Sequence, residues 1–315
     1  MPQPEPISPE IARFAGLLRA GEVVAFPTET VYGLGADAGN PDAVLRIYET
    51  KGRPRFNPLI VHCADLAMAE TVAEFSPLAR RLAEHFWPGP LTLVLPRRSG
   101  ARLADITTAG LDTVGVRVPD HPLALALIRA VGAPLAAPSA NPSGRLSPTT
   151  AEQVRRAFSG RVPVLDGGSC KSGVESTILS ISGDAVTQLR AGALARSEVE
   201  KLLQRSVPSA RADSQIAAPG MLASHYAPNA RLRLDAASPE PGEAYLAFGP
   251  EAPKTATAGL LNLSPAGDLH EAARNLFSML HALDETADRI AVAPIPDTGL
   301  GEAINDRLRR AAAPR

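Results

Sequence analysis

Lys51, Arg53 and Arg55 crowd into KGRPRFNPLIVH (Lys51–His62), directly before the apolar run Leu59-Ile60-Val61. A run of charge is most often a solvated face. Here the chain around it is stiff. Pro54 and Pro58 fix φ and restrict Arg53 and Asn57, which precede them, to extended conformations, while Gly52 permits close approach of backbone to a ligand. Cations held rigidly beside a strand end suit a polyanion, because ligands of open α/β sheets sit at such ends. Phosphate is the natural candidate.

Three further stretches offer polar groups without a decisive pattern. PSANPSGRLSPT (Pro138–Thr149) gathers Ser139, Asn141, Ser143, Ser147 and Thr149; these make turns, and they are neutral donors able to wrap an anion. FPTETVYGLG (Phe26–Gly35) leaves a strand with Thr28, Glu29, Thr30 and Tyr32, but YGLG is not the GxGxxG fingerprint and no Walker A pattern occurs. SGVESTI (Ser172–Ile178) holds a glutamate that serves as readily for capping as for chemistry, and His62 by itself reads as a hydrogen-bonded histidine near a core. No GxSxG or HExxH is present. Residue by residue, the reading stops at an anion-binding α/β protein.

The elements that position these groups follow from periodicity and punctuation. Ser8-Pro9 starts a helix with Ile11, Phe14, Ala15 and Leu18 on one face, ended by Gly21. Asn40-Pro41 and Ser76-Pro77 repeat the start signal; Val44, Leu45 and Tyr48 are the inward positions of the second helix. Pro122 opens another helix, and Thr150 with Gln153 fits a capping box. Strands are expected at 23–26, LIVHC (59–63), LTLVL (91–95), TVGVRV (113–118), in PLAAPSAN, which ends a strand and enters a loop, and at VPVLDGG, STILSIS and VTQLR. This interleaving predicts a twisted mixed-sheet α/β domain over residues 1–205. Residues 206–230 lose periodicity yet carry Met221, His225 and Tyr226, more than a spacer needs. Residues 231–315 then read as a small Rossmann-like α/β domain.

Composition limits the class. Of 315 residues, 45% are hydrophobic, enough for sizeable cores. The 32 Lys+Arg against 33 Asp+Glu leave a net charge of −1, which argues against a surface that binds DNA or membrane through massed cations. Two cysteines without a CxxC pair predict neither a disulfide framework nor a structural zinc site. The N-terminus shows no signal-peptide pattern, and no apolar run approaches the ~20 residues of a membrane span. A cytoplasmic protein is expected.

In order along the chain, PTETVYGLG, KGRP-x-x-NPLIVH, FWPGPLTLVL, TVGVRVP, APSANPSG and GVESTI resemble the YrdC-like family of L-threonylcarbamoyladenylate synthases. The match runs from Gly21 to Arg190, and APGMLASHYAP followed by a small domain resembles the longer two-domain form, departing from it at Leu222, Ala223 and Ser224. The resemblance implies synthesis of threonylcarbamoyl-AMP and pyrophosphate from L-threonine, bicarbonate and ATP, with Mg²⁺ accompanying ATP and no metal held by the protein alone. The product feeds the tRNA threonylcarbamoyl-transfer machinery that modifies adenosine 37. It implies Lys51, Arg53, Ser139 and Asn141 as the catalytic signature. ATP contacts fall on Arg53, Asn57, Thr113, Ser139, Ser147, Arg190 and, from the linker, Tyr226. Threonine contacts fall on Thr30, His62, Arg117, Ala137 and Ser176. The linker is read as a lid, so loss of residues 231–315 should do less harm than a cut at 205, because Tyr226 remains.

Two other readings use the same pocket. A carbamoyl-transfer protein of hydrogenase maturation normally brings an acylphosphatase domain and zinc-finger cysteines, which this chain lacks. An RNA-binding module would want aromatic stacking patches and excess cations.

Overall fold

The computed structural model describes residues 8–211, 218–219, 225–251, 253 and 258–314; Met221, Leu222, Ala223 and Ser224 lie outside them. Helix α1 (Pro9–Arg19) starts where the Ser8 hydroxyl accepts the Ile11 amide, and it buries the four apolar positions its periodicity selects. There follow β1 (Val24–Phe26), β2 (Gly33–Asp37), α2 (Pro41–Lys51), β3 (Ile60–His62), α3 (Leu66–Ala69) and α4 (Pro77–Phe86). Next come β4 (Leu91–Pro96), β5 (Thr113–Arg117), α5 (Pro122–Val131), β6 (Leu135–Ala136), α6 (Ala151–Ala157), β7 (Thr177–Ser182), β8 (Ala185–Arg190) and α7 (Arg196–Leu203). The eight strands form one mixed sheet in the order β1-β2-β6-β3-β5-β4-β7-β8. Its pairs are antiparallel except β3 with β5 and β4 with β7.

The second sheet is entirely parallel. It contains β9 (Arg231–Arg233), β10 (Ala244–Ala247), β11 (Leu260–Asn262) and β12 (Arg289–Val292), in the order β11-β10-β12-β9. Helices α8 (Leu269–Asp284) and α9 (Gly301–Ala312) complete this unit. Its core extends into the first unit: Val31, Leu146 and Val174 cluster with Tyr226, Phe277 and Leu280. Gly173 allows that approach. Its φ is +73°, and a Cβ there would lie 2.4 Å from the Ala273 carbonyl oxygen of α8, so a side chain is excluded twice over.

Several local expectations change. VPVLDGG is not a strand: only Val164 bridges, to Ala25 on the sheet edge, because Pro163 has no amide to donate and the glycines turn the chain away. Strand β2 was hidden by its two glycines, which carry no β-propensity; β11 is three residues long and equally quiet. On α2 the inward position is Ile47, fully buried, while Leu45 is half-buried. No helix among the described residues is long and apolar enough to cross a membrane.

Candidate active site

The end of α2 delivers the first cation. Lys51 closes the helix, and Gly52 supplies the left-handed C-cap at φ +60° that turns the chain sharply into Arg53. Lys51 is 4% exposed. Its Nζ donates to the carbonyl oxygen of Ser139 at 2.5 Å and to that of Asn141, while its own carbonyl accepts the Ser143 amide at 2.7 Å. The helix end and the 138–149 loop are therefore stitched together through one residue. Burial, and then the neighbouring Arg53 charge, hold the Lys51 amine well below its ordinary pKa.

Arg53 is buried too, its Nε and Nη2 donating to the carbonyls of Asn57 (3.1 Å) and Pro58 (2.9 Å); burial brings its pKa down to about 10. The two prolines thus shape a carbonyl bracket for the guanidinium. Arg55, the third cation, is exposed and takes no part. The Oδ1 atoms of Asn57 and Asn141 are buried without a hydrogen-bond partner among the described residues, which is unusual outside functional sites.

The parallel pair β3–β5 sets His62 directly beside Arg117. Arg117 Nη1 donates to Thr30 Oγ1 at 3.0 Å and Nε to the Gly89 carbonyl at 3.2 Å. Its Nη2 lies 2.6 Å from Glu29 Oε1, with both side chains at most 5% exposed. The contact is an ion pair without good hydrogen-bond alignment, since neither atom has a hydrogen-bond partner among the described residues. Burial, reinforced by Arg117, pushes the His62 pKa down to about 3, so the imidazole is neutral. Ala137 is fixed through its amide to the Ile60 carbonyl. Ser176 Oγ bonds Thr92 Oγ1 at 2.8 Å.

At the other side, the end of β8 presents Arg190. Its Nη2 donates to the carbonyl and the hydroxyl of Ser176 at 2.9 and 3.1 Å. Ser147 Oγ donates to Glu175 Oε1 at 2.5 Å, and Glu175 Oε2 accepts from Arg307 Nε of α9 at 2.7 Å. Burial raises the Glu175 pKa, but Arg307 and Arg190 outweigh it and hold the carboxyl below its usual range. Tyr226 sits at φ +62°, an uncommon conformation for a bulky residue and one that points to function. It is fully buried against the His225 ring at 4.0 Å and Phe277 at 5.7 Å.

A pocket brings together Arg53, Ser139, Arg190 and Tyr226 from the expected nucleotide set with all five of the threonine set. Lys51, Asn57, Asn141 and Ser147 stand behind its wall. Thr113 is apart, on a narrower cleft that shares Ile60 and Pro219 with the first. Motif reading missed Glu29 and Glu175 as partners, though both lie inside quoted motifs, and it missed Arg307, which no local pattern marks. Five buried cations meet two buried carboxylates: Glu29 pairs with Arg117 and Glu175 with Arg307. Lys51, Arg53 and Arg190 keep no carboxylate within ion-pair distance among the described residues. No three metal-ligating side chains cluster among those residues.

Residues 16–192 match the Sua5–YciO–YrdC family, described as telomere recombination, and residues 194–313 match the family described as threonylcarbamoyl-AMP synthase, C-terminal domain. The chain belongs to the Sua5–YciO–YrdC family, in its two-domain form. The Bacillus subtilis (strain 168) protein named threonylcarbamoyl-AMP synthase is 45% identical over 328 residues, spanning 98% of this chain and 94% of its own length. That of Pyrococcus abyssi (strain GE5 / Orsay) is 42% identical over 325 residues, spanning 96% and 93%. The crystal structure of P. abyssi Sua5 complexed with L-threonine superposes with a TM-score of 0.88 at 40% identity, covering 96% of this chain and 94% of that one.

Proposed function

We infer that the protein is an L-threonylcarbamoyladenylate synthase. The observation that carries this reading is the charge balance around the cavity: the buried cations Arg53 and Arg190 on its wall, and Lys51 behind it, have no carboxylate partner among the described residues. Burying charge is costly, and a triphosphate would supply the missing anion. The named relatives, and the relative that binds L-threonine, support the same substrates.

In the proposed reaction the threonine amine captures bicarbonate as a carbamate, releasing water. A carbamate oxygen then attacks the α-phosphorus of ATP, the bond to the β-phosphate oxygen breaks, and pyrophosphate leaves. Placement and charge neutralisation carry most of the acceleration. Arg53 and Arg190 take the phosphates, with Ser139, Ser147, Asn57, Thr113 and Tyr226 around the nucleotide. Lys51, with Asn141, braces the loop that carries Ser139 and adds its charge from behind the wall. Arg117 takes the threonine carboxylate, beside Thr30, His62, Ala137 and Ser176. Among the described residues the one carboxylate on the cavity wall, Glu175, is already engaged on both oxygens, so Mg²⁺ is proposed to arrive on the ATP phosphates as part of the substrate.

We also propose the division 1–205, 206–230 and 231–315, with the middle segment as a lid carrying Tyr226, a cytoplasmic location, and hand-over of the product to the tRNA threonylcarbamoyl-transfer machinery. The deciding assay is threonine-dependent pyrophosphate release from ATP and bicarbonate. Salt-sensitive RNA binding without turnover would favour an RNA-binding module instead, and turnover of carbamoyl phosphate in place of bicarbonate would favour carbamoyl transfer.

A further inference from the structure

Helix α9 buries Ile304, Leu308 and Ala311 on the stripe that its i, i+4, i+7 spacing dictates, and Arg307 falls on that same stripe. Its side chain is 0% exposed. Burying a guanidinium on an apolar helix face is expensive, and packing alone would be met by leucine or methionine. What Arg307 touches explains its presence. Nε donates to Glu175 Oε2 at 2.7 Å and Nη1 to Asp306 Oδ2 at 2.7 Å. The guanidinium lies 5.1 Å from the centre of the Tyr226 ring, within cation–π range, and Nη2 is buried without a hydrogen-bond partner among the described residues. Glu175, in turn, accepts the Ser147 hydroxyl.

We propose that Arg307 is a positioning residue for the nucleotide: through Glu175 it fixes the Ser147 hydroxyl, and with the face of its guanidinium it seats Tyr226. The second domain thereby completes the ATP side of a pocket lined by the first domain and the segment that follows it. Arg307 also cancels the charge of Glu175 on the cavity wall, which would otherwise repel a triphosphate. This rests on the reading of Ser147, Arg190 and Tyr226 as the nucleotide side.

The test is steady-state synthesis by the full chain, with the ATP KM and the threonine KM measured separately for Arg307→Gln, Arg307→Lys and Arg53→Ala, each checked for a cooperative unfolding transition. Arg307→Gln should raise the ATP KM about 30-fold or more, the effect of truncating one partner of a buried hydrogen-bonded charge pair, with the threonine KM near that of the wild type. Arg307→Lys, which keeps the charge but loses the planar fork, should recover part of the loss; should Arg307→Gln fail to fold, Arg307→Lys still raises the ATP KM alone. A folded variant at position 307 with an unchanged ATP KM, or with both KM values raised together as a general loosening would give, overturns the proposal. Arg53→Ala separates the two layers. If it leaves the ATP KM unchanged, the reading of the pocket falls and the proposal with it; if it raises the ATP KM while folded Arg307→Gln does not, the proposal alone fails.

Discussion

Glu29 Oε1 lies 2.6 Å from Arg117 Nη2, and both side chains are shut away from solvent. Removing one member of a buried pair leaves the other charge uncompensated, at a cost of about 3–5 kcal/mol. Glu29→Gln should therefore lower the unfolding free energy read from urea titration by that order, and threonine, whose carboxylate can stand in for Glu29, should restore more stability to the variant than to the wild type. A variant as stable as the wild type would show that water reaches the pair.

Lys51→Ala and Arg53→Ala should each cost on the order of 10²–10³ in rate while the protein stays folded, the scale of losing a preorganised charge contact. Wild-type pyrophosphate release from either folded variant removes these residues from the mechanism.

The depressed Lys51 pKa has a thermodynamic counterpart. Phosphate anions near the amine favour its protonated form, so ATP binding should take up protons around the lowered Lys51 pKa, and affinity should fall as pH rises through it. Calorimetric titrations in two buffers of different ionisation heat read the uptake directly, and identical heats would count against it. Lys51→Met should abolish the uptake.

Substrate choice should follow the polar lining formed by Thr30, Ser176 and Arg117. Valine, lacking the hydroxyl, should fall by roughly 10⁴ in kcat/KM because its partners are left unpaired, whereas serine, lacking a methyl, should fall only about 10–200-fold. Comparable kcat/KM for valine and threonine would mean that the pocket does not read the hydroxyl.

Burial depresses both His62 and His225 to a pKa of about 3, Arg117 adding to the effect at His62. Between the unfolded value near 6.5 and about 3, the unfolded chain binds protons that the folded chain refuses. Stability from these groups is thus complete above pH 6.5 and declines as pH falls toward 3, by on the order of a few kcal/mol for each histidine. Urea midpoints measured from pH 7 to pH 4.5 should drop, and the drop should be shallower in His225→Gln. A midpoint independent of pH would show that neither ring is held neutral.

A chain ending at residue 230 was expected to outperform one ending at 205, because it keeps Tyr226. The packing reverses that expectation. Tyr226 rests on Phe277 of α8 and Arg307 of α9, so without them its left-handed backbone conformation loses the second domain's share of the packing that holds it. Product formed per ATP consumed should be as poor for 1–230 as for 1–205, and a clear advantage of 1–230 would restore the simpler view of the linker.

The sequence by itself determined the helix starts, since Ser8, Asn40, Ser76 and Thr150 each cap the helix that follows, and it marked the strands rich in branched residues. Those signals are local, carried by side chains within four residues of the groups they serve. It also carried most of the pocket, because rigid motifs such as KGRPRFNP and GVESTI hold their chemistry in consecutive residues. Strand β2 was not legible, because its glycines take their conformation from β1 and β6 and not from propensity. The partners of the site were hidden for the same kind of reason. Arg307 lies 132 residues from Glu175 in a helix whose DRLRR reads as ordinary surface charge. Only folding decides that one of those arginines turns inward, because the energy of a buried ion pair exists only once both partners have left water.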